Sequence, residues 1–137
     1  MAKFVVTDPV IVIAGGTLTT SVASVTLNVE ADNVETTAFG GGGWRSSISG
    51  LKQASVDFEF HQDFAAGAID SVIWPLLGST AAVVIRPGGS AAVSSSNPSY
   101  SFTCNVNQWN PIDSAVGDLA TTSVSWPITG SITRATA

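Results

Sequence analysis

The chain has 137 residues, a formal net charge of −5, and 11% charged against 45% hydrophobic side chains. That length fits one domain, residues 1–137, burying about two-thirds of its unfolded surface, and so few charges suit a β-rich exterior covered by copies of itself. Ten acids against five bases, with no basic patch, exclude nucleic-acid binding by phosphate neutralisation; the single Cys104 excludes an internal disulfide and a multi-cysteine zinc site.

Lys3 followed by "FVVTDPVIVIAGG" has the outline of a secretion signal, but Thr7, Asp8 and Pro9 interrupt its apolar run. No stretch reaches membrane-spanning length, so a soluble protein made in the cytoplasm is expected, with no membrane partner. "KFVV" and "VIVIAGG" read as strands, the second short and buried, with a turn at Gly15 and Gly16. In "SVTLNVEAD", Val25, Leu27 and Val29 alternate with Ser24, Thr26, Asn28, Glu30 and Asp32, the period of a half-buried strand.

"AFGGGGWRSSISGLK" follows, an arm loop over about 38–52, far longer than a tight hairpin requires. It is either a disordered tip or an arm that orders against another molecule. Alternation then resumes: Val56, Phe58 and Phe60 on one face, Ser55, Asp57, Glu59, His61 and Asp63 on the other. Two strands with one dry and one acidic face pair at a modest electrostatic cost.

"DFAAGAIDSVIWPLLGS" changes period. Ile69, Val72, Ile73, Leu76 and Leu77 form one helical stripe, so a helix is expected over about 64–77, capped by Asp63 and stopped at Gly78. Pro75 ends its regular part near Ile73 or Trp74. "AAVVIRP" reads as a strand and "GGSAAVSSSNP" as a loop. "SYSFTCNVNQW" is a strand with Tyr100, Phe102, Cys104 and Val106 inward, and Trp109 breaks its parity at a bulge or strand end. "LATTSVSWPITG" is a further strand and "SITRATA" a short tail. Six to eight strands and one helix make a β-sandwich or small barrel, with the helix on an end or edge.

Catalytic signals are weak. Asp57, Glu59, His61 and Asp63 sit about 6.5–7 Å apart along one strand face, which suits a solvated acidic surface better than a metal cage. One histidine and no G-x-S-x-G elbow leave no nucleophile-base pair. "GGGGWR" lacks the G-K-[ST] ending of a phosphate loop. Trp44 and Trp109 remain candidates for stacking on sugars, whereas Trp74 and Trp126 are expected in the core. The reading is a non-enzyme without cofactor or metal.

"EADNVETTAFG", Arg45, "GLKQASVDFEFHQDF", "WPLLG", "NPSY" and "VGDLATTSVSWP", in that order, resemble small tail proteins of long-tailed bacteriophages of actinobacterial hosts. The class named by the resemblance is the tail tube, or major tail, protein. Its most specific pieces are Glu35 to Gly40, Gly50-Leu51-Lys52 and Trp74-Pro75-Leu76. One departure stands out: relatives carry a polar, acid-containing tip where this chain has Gly41, Gly42, Gly43 and Trp44.

The resemblance implies a β-sandwich or barrel with one flanking helix, forming hexameric rings that stack helically into a hollow virion tail. Assembly takes place in the host cytoplasm, next to other tail proteins, and DNA passes through without specific binding. The arm that reaches the adjacent ring would include Phe39, Gly41, Gly42, Gly43, Trp44, Arg45, Ile48, Leu51 and Lys52. The lumen would be lined by acids drawn from Glu30, Asp32, Asp57, Glu59 and Asp63. A capsid decoration or neck protein, a carbohydrate-binding β-sandwich and a hydrolase or metal site around His61 are the alternatives.

Overall fold

The computed structural model describes residues 9–89 and 93–136; the expected "KFVV" strand lies outside them. Among the described residues seven antiparallel strands form one open sheet: β1 (Val10–Ile13), β2 (Gly16–Thr17), β3 (Val22–Glu35), β4 (Ser47–His61), β5 (Thr80–Arg86), β6 (Ser99–Asn105) and β7 (Thr121–Ala135). The strand order is β2-β1-β5-β6-β7-β4-β3. The chain is mainly β with one short helix, as the alternating segments predict.

β7 joins the two halves of the sheet. Its pairing with β4 ends at Ser55↔Pro127, and its pairing with β6 starts at Cys104↔Ile128. Proline has no N–H for a ladder, so Pro127 sits where a partner change makes the loss cheapest. Gly130, at φ 84°, lies within the register shift against β6 and bends the second half of the strand. The expected tail "SITRATA" is therefore mostly strand, because β6 supplies backbone partners as far as Ser99↔Ala135.

Alternation sends the inward side chains of both halves into one core. Val56, Phe58 and Phe60 of β4 and Val124 and Trp126 of β7 meet Ile11, Ile13, Val83, Phe102 and Cys104 from the other half. The Trp126 ring lies edge-on to Phe58 at 5.6 Å, and its indole N–H donates to the Gln108 carbonyl at 2.9 Å. That bond satisfies the one polar group on a fully buried ring.

The helix α1 (Ile69–Ile73) is five residues long, continued by a 3₁₀ turn over Trp74–Leu76. It begins later than 64 because Gly67 takes φ 77°, outside the helical region, and because Asp63 serves a different turn. Its Oδ1 accepts from the Ala65 N–H at 3.0 Å, and Ala68 rather than Asp63 occupies the N-cap. Ile69 and Ile73 are buried as the stripe predicts. Trp74 is 57% exposed instead of lying in the core. It follows Ile73 by one residue, about 100° round the axis, and so points off the buried stripe.

Trp109 also departs from expectation. β6 ends at Asn105, and the connection folds back to bury Trp109. Its ring lies 5.9 Å from Phe60 and its N–H donates to Asp70 Oδ1 at 3.0 Å. It is thus removed from the aromatics that could stack on a glycan. Among the described residues no helix is long and apolar enough to cross a membrane.

Candidate functional site

Two surfaces on the β3–β4–β7 part of the sheet gather the functional candidates. The first is its outward face. The pairing sets rows across three strands: Ser24, Glu59 and Ser123; Thr26, Asp57 and Ser125; Asn28, Ser55 and Pro127; then Glu30 and Gln53. These rows contain three carboxylates and no Lys or Arg. Neutral amides hold two of them, Asn28 Nδ2 donating to Asp57 Oδ2 at 3.0 Å and Gln53 Nε2 to Glu30 Oε1 at 2.6 Å. The negative charge on the face is oriented by these contacts but not neutralised.

Of the five acids singled out, Glu30, Asp57 and Glu59 share this face. Asp32 stands on the outer part of β3, where a register shift sets two residues of β4 opposite it. Asp63 lies past the end of β4 and caps the turn before α1, so it is off the face. That splits the quartet considered as a metal cage. Among the described residues no three His, Cys, Asp or Glu side chains come together as ligands would. His61 pairs with Thr121 at the end of the strand, half-buried, with Nδ1 buried and unpartnered.

The second surface is the hairpin that β3 and β4 extend beyond the body. β7 accompanies β4 only from Ser55 to His61. From there outward the ladder Val29↔Ala54 to Glu35↔Ser47 is a two-stranded ribbon. Such a ribbon is marginal alone in water. Its residues are exposed almost throughout.

The loop proper is shorter than the expected 38–52. It covers 36–46, and Ser47 to Lys52 belong to β4. Its neck is closed by the Ser46 N–H donating to Thr37 Oγ1 at 2.9 Å and the Thr36 N–H to the Ser46 carbonyl at 2.9 Å. Phe39, Gly41, Gly42, Gly43, Trp44 and Arg45 form the tip, and a bond from the Trp44 N–H to the Gly41 carbonyl at 3.2 Å makes a turn of the glycines. Gly42 and Gly43 stand at φ 66° and 88°, a pair of conformations that side chains resist. Trp44 is 82% exposed and Phe39 fully so. Ile48, Leu51 and Lys52 lie on the ribbon, exposed.

Gly50 is the functional candidate that residue-type reasoning leaves without a reason. A Cβ there would stand 3.0 Å from Val34 Cγ2 and 3.3 Å from Asp32 Cβ. The register shift between Ala31 and Asn33 is what creates that close approach. The sequence marks it only as the first residue of Gly50-Leu51-Lys52, one of the pieces that carry the resemblance.

No protein-family model matches the chain, and comparison with curated proteins finds no relative. Solved structures do share its fold. One is a chain of the virion of a native gene transfer agent particle, with TM-score 0.73 and 14% identity over 93% of this chain and 95% of that one. Another comes from the tail of an empty gene transfer agent particle with C6 symmetry, with TM-score 0.60 and 14% identity over 82% of this chain and 81% of that one. At such identity the likeness is one of fold.

Proposed function

We propose that this chain is a structural virion protein of a phage or phage-like particle, polymerising as stacked rings into a hollow tail tube through which DNA passes. The observation that carries the reading is the β3–β4 ribbon, which outruns its third strand and ends in Phe39 and Trp44, exposed with none of the described residues covering them. Fixing such an arm costs about 1–2 kcal/mol of backbone entropy per residue. Contacts repeated around a ring offset that cost, because each arm docks at high effective concentration.

The acidic rows supply the second half of the argument. A wall bearing Glu30, Asp57 and Glu59, with no base among its rows, repels the phosphates of a passing duplex. The fold shared with a chain from a C6-symmetric tail supports six copies per ring. Partners are then sister copies and other tail proteins, and the role is structural, without catalysis or cofactor.

Deletion of 39–50 tests the reading. The truncated chain is expected to fold and stay monomeric by sedimentation velocity while the full chain forms tubes. Tubes of normal length from the truncated chain would overturn it.

A further inference from the structure

Among the described residues, the large exposed apolar side chains are not scattered. Six lie on the β3–β4 hairpin, among them Phe39, Trp44 and Leu51. The other six lie at the opposite end of the molecule: Phe64, Trp74 and Leu77 around α1, and Ile112, Val116 and Leu119 in the connection between β6 and β7. Hydrogen bonds tie the second group into one pole. Gln62 Nε2 donates to the Pro111 carbonyl at 2.7 Å, the Gln62 N–H to the Ala120 carbonyl at 2.8 Å, and Trp109 to Asp70. β4 runs from the hairpin to this pole through 15 residues, a span of about 50 Å at strand rise.

The two poles differ in charge. The loop 36–46 at the arm's tip holds Arg45 and no acid, and the strands behind it hold Asp32, Glu35 and Lys52, whereas 61–80 and 106–121 hold Asp63, Asp70, Asp113 and Asp118 and no Lys or Arg. A tip-to-tip contact would bring Arg45 of two copies together, which like charges oppose.

From this complementarity we propose that the arm of one copy docks on the α1 and 106–120 pole of a second copy of this chain. Trp44 and Phe39 cover aliphatic side chains such as Val116 and Leu119, and Arg45 faces the aspartates beside them. The contact is heterologous: donor and acceptor surfaces are different, so each copy that accepts an arm still offers its own. It propagates head to tail and does not close as a dimer. The inference rests on the tube reading and names the surface that the arm meets.

Crosslinking in mixed assemblies tests it. Full-length chains carrying Trp44→Cys are assembled with chains carrying Leu77→Cys, Ile112→Cys, Val116→Cys or Leu119→Cys, and treated with a short bis-maleimide. Phe39→Cys serves as a second arm position, and native Cys104 is buried. Crosslinked dimer is expected in the mixtures and not in any variant alone. Dimer from the Trp44→Cys chain alone, or tubes that give no mixed dimer at any pairing, overturns the docking and leaves the tube reading standing. A full-length chain that never polymerises overturns both.

Discussion

Val34 and Ile48 face each other near the outer end of the β3–β4 ribbon, 48% and 61% exposed, with no third strand among the described residues beside them. A cross-strand pair of this kind contributes about 0.2–1 kcal/mol, too little to explain two β-branched side chains kept in water. Ile48→Ser is therefore expected to move the stability of the body by less than about 0.5 kcal/mol in urea. The same change should sharply reduce polymer yield in a pelleting assay.

Gly50→Ala probes the ribbon's shape and not its chemistry. The added methyl group meets Val34 and Asp32, and Asp32 Cβ, fixed to the backbone, has little room to yield. The hairpin must open locally, at a cost of about 1–3 kcal/mol confined to the ribbon. Hydrogen exchange is expected to speed up from Ala31 to Ser49 and stay unchanged in β5 and β6, with polymer yield reduced.

Trp126 and Asp70 separate core from pole. Trp126→Ala removes a fully buried ring packed on Phe58 and Phe60 and should cost about 3–5 kcal/mol of stability. Asp70→Ala leaves the N–H of the buried Trp109 without its carboxylate acceptor, a loss of about 1.5–3 kcal/mol. Both are read from urea unfolding followed by tryptophan fluorescence.

Burial pushes the Cys104 thiol up from 9.0 to about 11, only partly offset by a backbone hydrogen bond. The unfolded chain ionises this thiol near pH 9, while the folded chain keeps its proton until about pH 11. The unfolded state thus binds fewer protons in that window, and its stabilisation is intact below pH 9, declines from about 9 to about 11 and changes no further above. Cys104→Val should flatten that decline in a pH series of urea midpoints.

Sequence alone makes the strands of the acidic face legible, because Val25 to Asp32 and Ser55 to His61 alternate without interruption. Their pairing rows follow once β3 and β4 are taken as neighbours. The helix start was not legible, since Gly67 and the Asp63 turn delay it by local hydrogen bonds that mimic a cap. The burial of Trp109 is not legible because it depends on Asp70, 39 residues away. The continuation of β7 past Gly130 is not legible for a similar reason: only the change of partner from β4 to β6 carries the strand on to Ala135. The outer part of β4, Ser47 to Lys52, reads as loop because Ser46 to Ser49 lack alternation, and what makes it a strand is its pairing with β3.

Charge reversal tests the wall. A chain with Asp57→Lys and Glu59→Lys is expected to assemble and to retain duplex DNA at low salt, releasing it as salt rises, while the unaltered polymer retains none. Equal DNA release by both polymers at low salt would remove the acidic rows from the account.

The most direct measurement is electron cryomicroscopy of the purified full-length chain at high concentration. The account predicts hollow tubes of uniform diameter, with Glu30, Asp57 and Glu59 facing the bore and each β3–β4 arm ordered against the next copy. Monomers or closed compact oligomers under all conditions, or a tube with that face turned to the outside, would contradict it.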